Sequence, residues 1–182
     1  MTRLFVAIDM PESICGDISE IYEAIPGARW TPENQLHLTL RFIGDVNNGT
    51  AQLIDNSLRL VKFAPFTMQL QSAGFFPPRR EPRVLWCGIA ANENLIRLQK
   101  HVERAVAAAG LPPAERKFSP HITVARLNGS PPQKLAAFLC TNSLFKTEPF
   151  LVSEFYLYSS VLKREGALHI KEAEYELSEN CG

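Results

Sequence analysis

The period of the apolar positions along this chain changes several times, and each change predicts an element. Residues 3–9 form a short β-rich run, a first strand. Ile14, Ile18, Ile21 and Ile25 then recur at helical spacing behind Pro11, a favoured residue at the first helical position, until Pro26-Gly27 stops the pattern. A turn at Trp30-Thr31-Pro32-Glu33 leads into an extended apolar run from Leu36 to Gly44. Asn47-Asn48-Gly49 punctuates before a helix striped by Leu53 or Ile54, Leu58 and Val61, and Phe66–Phe75 alternates as a strand. After a loop rich in proline and charge, residues 76–82, the apolar run Val84–Ile89 predicts a buried strand. Asn92 or Asn94 can cap a helix bearing Leu95, Leu98, Val102, Ala105 and Val106 on one face, which Gly110 and Pro112-Pro113 end. His121–Leu127 is the next strand, Ser130-Pro131 opens a helix with Leu135, Phe138 and Leu139, and strands Phe150–Val161 and Leu168–Leu177 follow.

The order strand, helix, strand, helix, strand therefore runs twice, and the middle strand of each run carries the same short pattern. His37-Leu38-Thr39-Leu40 returns 84 residues later as His121-Ile122-Thr123-Val124. On an extended strand a histidine and a threonine two residues apart leave by one face while their apolar neighbours enter the core. The expected fold is α+β: a single bilobal domain over 1–182, with approximate repeat halves 1–78 and 83–165 and a final strand at 168–177. The halves are related as a pseudo-twofold duplication, with antiparallel sheets lining a central cleft and helices on the outside. The two histidines then meet across that cleft.

Composition narrows the function without naming it. Apolar residues make up 46% and charged residues 21%, and no apolar run approaches the roughly 20 residues that span a bilayer, so no membrane partner is expected. The first residues run from a short apolar stretch straight into Asp9 and Pro11, which reads as a strand and not a secretion signal. Cys15, Cys87, Cys140 and Cys181 show no C-x-x-C spacing, which argues against a thiolate zinc site or a disulfide scaffold and fits the cytoplasm. Nineteen basic and nineteen acidic residues cancel, so no long-range field draws this chain onto extended nucleic acid. An anion must be held locally, by Arg79, Arg80 or Arg83 in the proline-rich loop, Arg116 and Lys117 ahead of the second motif, or Arg41 and Arg126 just after the two motifs. For the loop arginines a solvated surface is the simpler account.

Two facing imidazoles suit proton transfer. The ordinary histidine pKa of about 6.5 lies near working pH, so one can take a proton while the other gives one. Two threonine hydroxyls on the same face can donate hydrogen bonds to anionic oxygens, and the four groups together suit a phosphate, without metal or cofactor. One histidine and one threonine on a strand are usually a satisfied interior pair; their recurrence at the same place of a repeated order favours function. Zinc would need a third ligand. The other histidines are His169 and His101, and His101 sits in a helix beside its apolar stripe, where a structural role is the simpler account.

The paired H-x-T-x motifs resemble those of the two-histidine phosphoesterase superfamily. Arg3-Leu4-Phe5-Val6-Ala7, HLTLRFIGDV from His37 and SPHITVARL from Ser119 are similar, over nearly the whole chain, to the RNA 2′,3′-cyclic phosphodiesterase (2′-5′ RNA ligase) family. That resemblance implies hydrolysis of a 2′,3′-cyclic phosphate RNA end to a 2′-phosphomonoester, with ligation as the reverse activity. It also implies His37 as proton donor, His121 as proton acceptor, Thr39, Thr123 and Arg126 as phosphate-binding residues, and Phe5 as a candidate base-stacking position. Arg126 has the wrong strand parity for its role unless a strand end or bulge turns it inward, and Phe5 taken alone is a core residue. His169 departs from the pattern, standing where relatives often carry tyrosine. The expected partner is an RNA end or oligonucleotide with a cyclic phosphate, met by a monomer. The alternatives are a phosphodiesterase for another cyclic phosphate or a 2′-5′ oligonucleotide, and a non-catalytic RNA-end binder.

Overall fold

The computed structural model describes residues 1–77, 81–163 and 166–178. Arg79, Arg80 and Cys181, named above, lie outside them. Strands form at β1 (Thr2–Asp9), β2 (Ala28–Trp30), β3 (His37–Val46), β4 (Phe66–Met68), β5 (Leu70–Phe76), β6 (Val84–Ile89), β7 (His121–Leu127), β8 (Phe150–Val152), β9 (Glu154–Lys163) and β10 (Gly166–Glu176). Helices form at α1 (Glu12–Glu20), α2 (Asn48–Leu58), α3 (Glu93–Ala108) and α4 (Pro132–Thr141). Eight strands make one antiparallel sheet in the order β10-β9-β1-β3-β7-β6-β5, with β2 also paired to β7, and β4 and β8 make a small second sheet. The architecture is α+β, as the pattern predicts.

Helix ends follow the capping chemistry. The Asn47 and Asn92 side chains accept from the Thr50 and Leu95 amides at 2.8 and 2.9 Å, satisfying donors that a helix start leaves free. Pro11 and Pro131 sit one position earlier than expected, as the residues that precede the first helical turn. The first helix ends at Glu20, yet Ile25 beyond it remains 5% exposed because the loop folds back onto the core.

The core forms where the helical stripes meet one face of the sheet. Leu38, Leu40, Ile122 and Val124, all at most 2% exposed, join Ile14, Ile18, Leu95, Leu98, Val102 and Phe138 in one cluster. Each large side chain buried there contributes roughly 1.5–3 kcal/mol of transfer free energy. The opposite face of the two motif strands is open.

Two elements read as single strands are each broken in two. Phe66–Phe75 divides into β4 and β5, and Phe150–Val161 divides into β8 and β9. The breaks are linked, because β4 and β8 leave the main sheet and pair with each other, Phe66 opposite Val152 and Met68 opposite Phe150. The strands that follow are exchanged: β5 continues to β6, on the side of the second motif, and β9 returns to β1, on the side of the first. β2 escapes the sequence pattern because three residues are too few to show a period; it exists by pairing with β7 at Ala125–Leu127.

Candidate active site

β3 and β7 meet at the centre of the sheet through one pair, Leu38 opposite Ile122. Both side chains are fully buried among the helices. His37 and Thr39, flanking Leu38, therefore leave by the open face, as do His121 and Thr123, flanking Ile122. The antiparallel register sets each histidine across from the other strand's threonine. All four side chains are half-buried.

Past each threonine the two strands repeat the same irregularity. On β3, Thr39 faces Ala7 while Arg41 faces Val6, so Leu40 is an extra residue. On β7, Thr123 faces Trp86 while Ala125 faces Leu85, so Val124 is the extra residue. Such a bulge inverts strand parity. From the histidine onward both strands run half-buried, buried, half-buried, buried, buried, exposed. Arg126 thereby reaches the same face as His121 and Thr123, which simple alternation denied it. Its position on the first strand is taken by Phe42, 59% exposed.

The same inversion turns Arg41 away from the open face. It is 8% exposed and pairs with Glu103 of α3, Nε to Oε2 3.3 Å, while donating to the Pro112 carbonyl. Arg41 therefore ties α3 to the segment leading into β7 and is not an anion ligand. Arg83, Arg116 and Lys117 are exposed. His101 packs edge-on against Phe63 at 5.5 Å, a structural contact.

Both motif histidines are oriented alike. His37 Nδ1 lies 2.8 Å from the Gln35 carbonyl and His121 Nδ1 2.7 Å from the Ser119 carbonyl, in each case two residues upstream. A carbonyl only accepts, so each Nδ1 carries the hydrogen and each Nε2 is left for a ligand. Their surroundings differ. His37 is enclosed by Phe5 at 5.0 Å, Tyr158 at 6.3 Å and His169 at 5.0 Å between ring centroids. Burial lowers its pKa to about 4, with His169 and His121 acting the same way and the Gln35 bond and Asp9 opposing. His121 meets Phe76 edge-on at 5.0 Å, and Phe76 leans on Trp86 at 5.3 Å. Trp86 lies where a Cβ on Gly74 would stand, 2.3 Å from the ring, so only glycine there admits the indole.

Phe5 corrects an expectation. At 2% exposed it offers no face to a base. It forms instead the floor under His37, stacked on Tyr158 at 5.2 Å and parallel to Phe42 at 6.3 Å. An exposed aromatic next to this floor is Phe42, whose only sequence signal is that it stands as far past His37 as Arg126 stands past His121. Sequence reasoning also missed Asp9, which faces His37 across β1 and β3. Its carboxylate accepts from the Tyr158 hydroxyl at 2.6 and 2.8 Å and pairs with Lys171 at 3.0 Å. Asp9, Gln35, His37, Tyr158 and His169 line one small cavity of about 110 Å³.

Among the described residues no three of histidine, cysteine, aspartate and glutamate converge as metal ligands, Cys15, Cys87 and Cys140 are unpaired, and no helix is long and apolar enough to cross a membrane.

Residues 10–164 match the model of the 2′-5′ RNA ligase superfamily. The chain is 32% identical over 174 residues to the RNA 2′,3′-cyclic phosphodiesterase of Methanothermobacter thermautotrophicus, covering 92% of this chain and 94% of that one. It is 30% identical over 182 residues to the RNA 2′,3′-cyclic phosphodiesterase of Thermotoga maritima, covering 96% of each. The crystal structure of E. coli LigT complexed with 3′-AMP superposes with a TM-score of 0.76 at 25% identity, over 98% of this chain and 99% of that one.

Proposed function

This chain belongs to the 2′-5′ RNA ligase superfamily, and we propose that it is an RNA 2′,3′-cyclic phosphodiesterase, opening a cyclic phosphate RNA end to a 2′-phosphomonoester with two histidines as acid and base. The observation that carries this reading is the matched tethering of His37 and His121, which leaves two Nε2 atoms on one face beside two threonine hydroxyls.

The chemistry needs one proton taken and one given. The cyclic phosphate sits between Thr39 and Thr123, whose hydroxyls donate to its non-bridging oxygens, with Arg126 offsetting its charge. His121 Nε2 takes a proton from water as the water oxygen bonds to phosphorus. The P–O3′ bond breaks, and His37 Nε2–H protonates the departing O3′. In the free protein burial keeps His37 neutral at neutral pH. The arriving phosphate anion favours the charged, proton-donating form, as an opposite charge close by does. Attack by a 5′-hydroxyl in place of water would give a 2′-5′ linkage through the same two groups, so ligation is the secondary outcome where water competes. The similarity to relatives named as cyclic phosphodiesterases and the 3′-AMP bound by LigT both favour an RNA-end substrate.

The test is product analysis. A short RNA ending in 2′,3′-cyclic phosphate, incubated with the protein and excess chelator, should yield a 2′-phosphate end and no 3′-phosphate. An unchanged cyclic end, or turnover that needs added metal, would overturn the proposal.

A further inference from the structure

We propose that His169 is a third substrate-contacting histidine, a neutral Nε2–H donor that positions the cyclic phosphate end against His37 and exchanges no proton in the reaction. This rests on the phosphodiesterase reading above.

His169 stands on β10, at the far edge of the sheet in strand order, yet its ring meets His37 edge-on at 5.0 Å and Phe5 edge-on at 4.9 Å. Both rings belong to the His37 side of the open face, and His169 lines the same cavity as His37, Asp9 and Tyr158. Its two nitrogens differ. Nδ1 is buried and has no hydrogen-bond partner among the described residues. A buried N–H without an acceptor costs more than a buried lone pair, so the hydrogen belongs on Nε2. That is the opposite tautomer to His37 and His121, whose Nδ1 atoms donate to carbonyls. In the free protein two of the three rings therefore present a lone pair at Nε2 and the third presents a donor.

Burial and the nearby Arg126 cation keep His169 in that form. His37 packs against it, Arg126 of β7 acts on it, Lys171 follows two residues on along β10 and ion-pairs with Asp9, and Asp9 is itself bonded by Tyr158. Burial first and Arg126 second lower its pKa. Protonation would also place an unpartnered N–H at the buried Nδ1. A group held neutral is a poor proton shuttle and a good fixed donor to a phosphate or ribose oxygen.

The test compares His169→Phe, which keeps the ring and removes the donor, with His169→Gln, whose amide places a donor near the Nε2 position. Steady-state kinetics on a 2′,3′-cyclic mononucleotide should show KM raised on the order of 10-fold in His169→Phe and largely restored in His169→Gln. The pH profile of kcat should keep its shape in both, because His169 does not titrate in the reaction. Unchanged KM in His169→Phe, a loss that His169→Gln does not recover, or a missing limb in the kcat profile would each overturn the inference while wild-type turnover leaves the activity standing. Absence of turnover in the wild-type protein would instead overturn the activity and this inference with it.

Discussion

Phe42 and Arg126 hold the same place on the two motif strands: each stands five residues past its histidine and reaches the open face because one extra residue, Leu40 or Val124, is bulged out after the threonine. One strand thus ends its motif with an aromatic face and the other with a cation. A nucleotide carries a base and a phosphate, and on the proposed function the pair would offer one group to each.

Their substitutions should separate. Phe42→Ala should raise KM for a cyclic mononucleotide by roughly 5- to 150-fold, the equivalent of a stacking interaction of about 1–3 kcal/mol, and leave a phosphodiester without a base unaffected. Arg126→Ala should impair both substrates. Parallel kinetics on the two substrates checks this, and equal losses for both variants on both substrates would refute the division.

On the proposed mechanism, replacing His37 or His121 by alanine removes one proton-transfer partner and should lower kcat on the order of 10²- to 10⁴-fold. Thermal unfolding of each variant should stay cooperative, since both side chains lie on the open face. Near wild-type turnover in either variant would discard the acid and base roles.

Stability should fall as the solution is acidified, and the sign follows from His37. Its folded pKa of about 4 lies below the ordinary 6.5 of the unfolded chain, so between those values the unfolded state binds more protons. Stability is full above pH 6.5 and is lost as pH drops toward 4, by up to about 2 kcal/mol between pH 7 and pH 5. His169, also lowered by burial, adds in the same direction. Urea midpoints at the two pH values should show a smaller difference in His37→Gln than in the wild type.

Asp9 favours the charged form of His37. Asp9→Asn should therefore lower the apparent pKa of the proton donor and move the alkaline limb of the activity profile to lower pH, with kcat reduced at neutral pH. An unmoved limb would show that Asp9 acts only through its bonds to Tyr158 and Lys171.

Gly74→Ala should act on the second motif from two strands away. The added Cβ would overlap the Trp86 ring, and forcing the indole aside costs roughly 1–3 kcal/mol of packing. Trp86 neighbours Thr123 in register and leans on Phe76, which meets His121. Tryptophan fluorescence should shift and turnover fall together; a shift without loss of turnover would exclude the second effect.

The pairing of His37-x-Thr39 with His121-x-Thr123, the strands that carry them and the helices between were legible in the chain itself, because strand and helix periods are local and each motif lies within one run. Burial of Leu38 and Ile122 follows from the same alternation. What alternation cannot foresee is a residue added to one strand but not to its partner. The bulges at Leu40 and Val124 turn Arg126 toward the open face and Arg41 toward α3, and they depend on the register of β1 and β6, which long-range pairing sets. Phe5 likewise reads as any strand phenylalanine until Tyr158, from the other end of the chain, closes over it. The exchange of β5 and β9 between the two sides of the sheet has the same origin: a strand's own residues specify that it is extended and which face is apolar, and the neighbour it pairs with is chosen only when the whole sheet closes.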